Sequence, residues 1–303
     1  MKTVFLGTSV FAVPALEALA AADDINVAAV VSRPDRPAGR GRKLRKPPVA
    51  EKALELGLNL LQPEKLKGIQ ELVEELAPEV MVSASYGGWL PEWFLKLSPF
   101  GVVNIHPSLL PRHRGAAPVI RAVLQGDSET GVCFMLTDNG WDTGDVIRCV
   151  TLPVPVNTTA GELENILAVK AAEEIPGVLR KYLSGELQPQ PQAGEESYAE
   201  KISAEEAQID WTLDSRQIVR QIMAFNPVPG ARTVHCGRVV KIYRAVHSDM
   251  SGTPGEVIGL SPPAIACGTG AVEIHELQVQ GRKRMSWQDF TRGYRLEPGE
   301  RLG

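Results

Sequence analysis

In the first half of the chain, apolar residues come in short, nearly unbroken runs and polar residues gather between them. Residues 3–6, 27–31, 80–84 and 102–105 are such runs, the pattern of strands covered on both faces. Between them apolar positions fall at helical spacing: Leu16 and Leu19 within 12–22, then 49–56, a segment closing at 72–76 before Pro78, and 117–124. Residues 131–136 and 146–153 add two strands. Thr158 and Thr159 followed by Glu162 read as the capped start of a helix reaching about Leu183. Buried strands alternating with helices predict an α/β fold, a doubly wound, mostly parallel, Rossmann-like sheet.

The texture changes after Gly185. Residues 187–194 are polar and proline-rich, a linker rather than an element. One helical segment follows at 215–224, then short β-rich runs at 238–243, 255–258, 264–266 and 272–277, with Gly and Pro between them. Several short strands at close spacing predict a small, OB-like β-barrel. The expected organisation is a first domain at 1–188, a linker at 189–207 and a second domain at 208–303. No internal repeat is visible.

A chain of 303 residues is comfortable for two domains, and 44% hydrophobic with 22% charged residues describes an ordinary soluble protein. Its apolar runs are far too short to span a bilayer, and its start lacks the apolar core and small-residue cleavage site of a signal peptide. Cys133, Cys149, Cys236 and Cys267 are scattered, with neither a CxxC pair nor Cys/His ligand spacing. A reducing cytoplasm and no metal are therefore expected. Net charge is -4, but residues 33–46 hold seven basic side chains (Arg33, Arg36, Arg40, Arg42, Lys43, Arg45, Lys46) against Asp35 alone. One concentrated basic segment on an acidic protein points to a local polyanion contact. Pro34, Pro37, Gly39 and Gly41 forbid a regular helix there, so the charges are expected on a flexible, exposed loop. Residues 206–303 carry twelve Lys/Arg against ten Asp/Glu, so the second domain is mildly basic.

The chemistry-bearing stretch is Asn104-Ile105-His106-Pro107-Ser108-Leu109-Leu110-Pro111, directly after a strand. In open α/β sheets ligands bind beyond the carboxyl ends of strands. Asn104 and His106, two apart, point to one side. They offer a neutral and a titratable donor for a carbonyl oxygen that becomes negative during acyl transfer. The plainer reading leaves Asn104 satisfying a turn and His106 packed in the core. A second cluster, Asp138-Asn139-Gly140-Trp141-Asp142-Thr143-Gly144-Asp145, has the composition of a simple turn. It also holds acids able to ligate a metal, although all in one short loop, or to orient His106 and favour its charged form. Composition alone leaves these open. Gly7-Thr8-Ser9 lacks the later glycines of a dinucleotide fingerprint, which argues against a nicotinamide dehydrogenase.

Asn104, His106 and Ser108-Leu109-Leu110-Pro111, followed by Asp142-Thr143-Gly144, resemble the signature of folate-dependent formyltransferases. The resemblance implies that Asn104, His106 and Asp142 are a catalytic trio. Asn104 and His106 would stabilise the oxyanion, while Asp142 holds His106 protonated and helps move the proton from amine to leaving nitrogen. Within that superfamily the likeness to methionyl-tRNA formyltransferases runs almost end to end. Phe5-Leu6-Gly7-Thr8 with Phe11-Ala12, Ser85-Tyr86-Gly87 with Leu90-Pro91, Ile209-Asp210-Trp211 and Ala224-Phe225-Asn226-Pro227 all belong to it. Pro107, Val228 and Pro176 depart from the pattern, Pro176 by interrupting a helix usually left whole.

The implied reaction moves a formyl group from 10-formyltetrahydrofolate, a co-substrate, to the α-amino group of methionyl-initiator tRNA. Tyr86, Gly87, Leu90, Ser108, Leu109, Leu110 and Pro111 would line the folate. Arg36, Arg40, Arg42, Lys43, Arg45 and Lys46 would contact tRNA, aided by the second domain. A cytoplasmic monomer is implied. The alternatives are a sugar-nucleotide formyltransferase, which shares the trio but has no use for the basic loop; a folate-dependent hydrolase, usually a much longer chain; and a non-catalytic tRNA-binding protein, which has no need of the trio.

Overall fold

The computed structural model describes residues 1–38, 43–294 and 296–303. Strand β1 (Lys2–Gly7) owes its place to Val4, Phe5 and Leu6, all wholly buried, so side chains on both faces are covered. It lies at the middle of a seven-stranded sheet with β2 (Asn26–Val31), β3 (Leu60–Leu61), β4 (Val80–Ala84), β5 (Val102–His106), β6 (Glu129–Leu136) and β7 (Val146–Pro153). The spatial order is β7-β6-β5-β4-β1-β2-β3. From β3 through β5 every pairing is parallel, and β6 runs antiparallel to β5. The helices Val13–Ala20, Pro48–Glu55 and Gln70–Leu76 connect the parallel strands. This is the mostly parallel, doubly wound sheet that the nearly unbroken apolar runs imply.

The chain divides into two compact units. The first comprises Met1–Gly115, Thr130–Leu152 and Glu164–Tyr198; the second comprises Ala116–Glu129, Pro153–Leu163 and Ala199–Gly303. The first half of the expected linker is hydrogen-bonded into the first unit. Gln190 pairs with Val146 through both backbone groups (2.8 and 2.9 Å), and Ser197 accepts from Arg114 N at 2.9 Å. Polar composition reads as a linker, but here the glutamines and backbone serve as hydrogen-bond partners for neighbouring loops.

The capped helix start is present. Thr159 N donates to Glu162 Oε2 at 2.9 Å and Glu162 N to Thr159 Oγ1 at 3.1 Å, a reciprocal capping box. The helix Ala160–Leu183 runs through Pro176 without a break. Proline costs it one backbone hydrogen bond, but Ala171, Ile175, Val178 and Leu179 are buried around that point and hold the helix by packing. Against the reading of four scattered cysteines, Cys133 and Cys149 form a disulfide. They lie on the neighbouring strands β6 and β7, a juxtaposition that sequence separation does not reveal.

In the second unit, the helix Ser215–Ala224 is capped by Asp214, whose carboxylate accepts from Arg216 N at 2.8 Å. A six-stranded sheet follows: β8 (Ala231–His235), β9 (Arg238–Ser248), β10 (Val257–Leu260), β11 (Pro263–Ala266), β12 (Ala271–Val279) and the short β13 (Met285–Ser286). The order is β8-β9-β12-β11-β10, with β13 on β12. Its strands pair antiparallel throughout. The C-terminal tail reaches both edges: Val257 N donates to Glu300 O and Gly303 N to Val234 O, each at 2.9 Å. The tail thus closes the sheet and removes its open edges, as a small barrel requires.

Candidate active site

Strands β4 and β5 run in parallel with Ser83 beside Asn104, so the loops that follow them leave from the same edge of the sheet. Asn104 and His106 sit at the end of β5, on the same side of the strand. The Ser83 hydroxyl donates to Asn104 Oδ1 at 2.9 Å. That bond fixes the amide's orientation and leaves its NH2 group as the donor. His106 is 4% exposed. Its Nε2 lies 3.0 Å from the carbonyl of His113. A carbonyl only accepts, so the proton of the neutral ring belongs on Nε2, and Nδ1 is the nitrogen free to exchange one.

Nδ1 faces Asp142 Oδ2 at 3.7 Å, within ion-pair range but longer than a hydrogen bond. Asp142 lies in the loop between β6 and β7 with φ of 54°, a left-handed conformation that aspartate tolerates better than most residues. The same carboxylate oxygen accepts from Gly115 N at 2.9 Å, and Gln192 Nε2 holds the carbonyls of Asp142 and Gly144, both at 2.8 Å. The acids of this loop therefore divide their work. Asp138 is the turn residue that composition suggests, accepting from Gly140 N and from the Thr143 hydroxyl at 2.9 Å. Asp142 is the acid carried to the histidine.

The segment after His106 is less uniform than its sequence. Ser108 is fully buried and its hydroxyl donates to Arg112 O at 2.7 Å, so it holds the turn. Leu110 N donates to Cys133 Sγ at 3.3 Å, and Pro111 is buried. Leu109 and Leu110 are the half-exposed members, able to touch a ligand. After β4, Tyr86 and Leu90 are buried within the core cluster around Val4 and Met81, while Gly87 is exposed. Burial pushes the Tyr86 hydroxyl above the ordinary phenol value, partly opposed by the guanidinium of Arg33, which lies 6.0 Å from the ring centre.

Arg33 opens the basic segment, whose described flanks form a two-stranded antiparallel hairpin rather than an irregular loop. Residues Arg36–Ala38 pair with Lys43–Arg45. Short strands tolerate Pro37 because an edge position needs no donor there. Arg36 is paired with Glu64 at 3.1 Å, both exposed, and the exposed Lys46 with the half-buried Asp35 at 3.2 Å; Arg45 is exposed. Arg40, Arg42 and the side chain of Lys43 lie outside the described residues.

Sequence reasoning passed over Ser83, His113 and Gln192, which act by holding other groups. It also missed Trp89 and Trp141, 52% and 68% exposed, whose ring centres are 5.8 Å apart across the loops after β4 and β6. A large aromatic inside each polar, Gly-containing loop was the available signal. Among the described residues no helix is long and apolar enough to cross a membrane.

Residues 1–179 match the formyl transferase family and residues 201–295 the formyl transferase C-terminal domain. The chain is 44% identical over 307 residues to a methionyl-tRNA formyltransferase of Neisseria meningitidis serogroup C, covering 99% of each chain. Two solved structures share the fold. An N-formyltransferase from Helicobacter canadensis, in complex with folinic acid and dTDP-3-aminofucose, superposes with TM-score 0.66 at 18% identity, over 94% of this chain and 100% of that one. A methionyl-tRNA formyltransferase from Clostridium thermocellum does so with TM-score 0.57 at 17% identity, over 81% and 93%. With both matched regions and a relative alike along its whole length, this chain belongs to the formyl transferase family, among the methionyl-tRNA formyltransferases.

Proposed function

We propose that this enzyme transfers a formyl group from 10-formyltetrahydrofolate to the α-amino group of methionyl-initiator tRNA, with Asn104, His106 and Asp142 carrying the chemistry. The supporting observation is the return of the Asp142 carboxylate to Nδ1 of His106, beside an asparagine whose amide NH2 is left to donate. The amine attacks the formyl carbon, and the carbonyl electrons move onto oxygen. The Asn104 amide and protonated His106 stabilise that oxyanion. The amine proton passes to N10 of the folate, with His106 and Asp142 at hand to relay it. The C–N10 bond then breaks, giving N-formylmethionyl-tRNA and tetrahydrofolate. No covalent intermediate on the enzyme is required.

Tyr86, Gly87, Leu90 and the turn from Ser108 through Leu109, Leu110 and Pro111 form the folate wall in this reading. Leu109 and Leu110 make direct contact, while Ser108, Tyr86 and Leu90 shape the wall from below. The basic hairpin and the second unit hold the tRNA, and the enzyme acts as a cytoplasmic monomer. The test is purified protein with 10-formyltetrahydrofolate and either methionyl-initiator tRNA or an amino-sugar nucleotide. Formylation of the tRNA alone is expected, and formylation of the sugar alone would overturn the reading.

A further inference from the structure

The hairpin joining β8 to β9 turns on two residues, Cys236 and Gly237, with His235 paired to Arg238. Both turn residues are left-handed, with φ of 47° and 72°. Such turns select Asn, Asp or Gly, and Cys occupies the first position against that preference. A strained residue of unexpected type invites a functional explanation.

The explanation lies in what the thiol faces. His235 is 3% exposed, its Nδ1 is buried without a hydrogen-bond partner, and its Nε2 points toward Cys236 and Glu300. Nε2 is 3.3 Å from Glu300 Oε2 and 3.7 Å from Cys236 Sγ, and all three donor atoms lie within 4.8 Å of one another. Donors on a tetrahedral zinc ion, at about 2.0–2.3 Å from the metal, stand roughly 3.3–3.6 Å apart. The gathered atoms are therefore close to coordinating positions already.

We propose that His235, Cys236 and Glu300 form a site for a divalent transition ion of the zinc class. One nitrogen, one sulfur and one oxygen donor suit a borderline-soft ion rather than magnesium or calcium. Binding releases the thiol proton to solvent. The resulting thiolate and the carboxylate balance the two positive charges, and the neutral imidazole adds a third bond. Cys236 is exposed and Glu300 half-exposed, so the fourth position opens to water.

The location suggests a purpose. Glu300 belongs to the tail that closes the sheet, so the ion would clip the tail to the β8–β9 hairpin across the seam. No ligand spacing announces the site in the sequence, because the third donor comes from the far end of the chain.

The test uses untagged full-length protein after chelator treatment, titrated with zinc by calorimetry and with cobalt(II) by absorption. One equivalent of zinc should bind and raise the thermal midpoint, and cobalt should show a thiolate charge-transfer band. Cys236→Asn suits the turn and removes the sulfur. It should abolish the band and weaken zinc by more than the roughly 10–100-fold typical of losing an outer-shell partner. Glu300→Gln should weaken zinc while keeping the band. Absence of zinc binding, a cobalt complex without the thiolate band, or unchanged affinity in Cys236→Asn would overturn the proposal.

Discussion

Two polar loops of the first unit use charge in opposite ways. In the loop between β6 and β7 the acid that faces His106 is pinned. Asp138 closes the turn, Gln192 holds the backbone at Asp142 and Gly144, and Gly115 N fixes the carboxylate that faces His106. In the basic hairpin Arg36, Arg45 and Lys46 stand in solvent, Arg36 paired with an exposed Glu64 and Lys46 with a half-buried Asp35. Such pairs contribute little to stability and are readily exchanged for phosphate. The first loop sets one carboxylate in a fixed geometry, as bond-making demands. The second offers positive potential without fixed geometry, which suits a polyanion.

If that division holds, the two loops govern different kinetic constants. The largest effect belongs to the end of β5: His106→Ala should lower kcat by about a hundredfold or more while folate still binds. Fluorescence titration with folate and steady-state formylation would check both halves. Next comes Gly144→Ala, where a Cβ would stand 1.9 Å from the Leu136 carbonyl oxygen, so the loop has to shift. Misplacing Asp142 by about an ångström should reduce kcat by up to about a hundredfold, leaving KM for tRNA nearly unchanged. A rise in tRNA KM instead would show that the two loops are not separable.

Replacing Arg36, Arg45 and Lys46 together by Ala should leave kcat within about twofold, raise KM for tRNA and flatten its salt dependence. Each lost phosphate contact removes about 0.7–0.9 from the slope of log affinity against log salt. KM measured at two salt concentrations decides this, and an unchanged slope would make the hairpin idle.

The smallest effect concerns Asp24, bound through both oxygens to Arg180 at 2.7 and 2.8 Å. The guanidinium holds its carboxyl at about 2, against 3.8 ordinarily. The folded state thus takes up that proton less readily than the unfolded one. The contribution is present above about pH 4 and fades as pH falls toward 2. Because the pair is half-exposed, Asp24→Asn should lower the urea midpoint slightly at about pH 6, by roughly half as much near pH 3 and hardly at all near pH 2.

The elements easiest to read in the sequence were those under the strongest local constraint. Strand β4 lies buried along its whole length and shows as an apolar run broken only by Ser83. The helical segment read at 215–224 is present, with Asp214 as the side chain that caps it. The helix beginning at Ala160 announces itself through the exchange between Thr159 and Glu162. Features made by contact between distant residues were hidden. Polar residues 189–198 resemble a linker until Gln192 is seen holding the Asp142 loop. The same holds for the disulfide of Cys133 with Cys149 and the meeting of Trp89 with Trp141. At the candidate site, spacing suggested Asn104 and His106, yet it could not tell Asp138 from Asp142. The family resemblance singled out Asp142, and the backbone's course gives the physical reason: Asp138 caps the turn and Asp142 reaches the histidine.

The division of labour is tested most directly at the carboxylate itself. Asp142→Asn keeps the size of the side chain and the acceptor for Gly115 N, and removes the charge that faces His106. Steady-state formylation of methionyl-initiator tRNA by this variant should show kcat lower by about a hundredfold, with KM for tRNA and for 10-formyltetrahydrofolate close to the wild-type values. A variant that keeps near-normal turnover would contradict the account, because the loop would then be positioning a carboxylate that the reaction does not use.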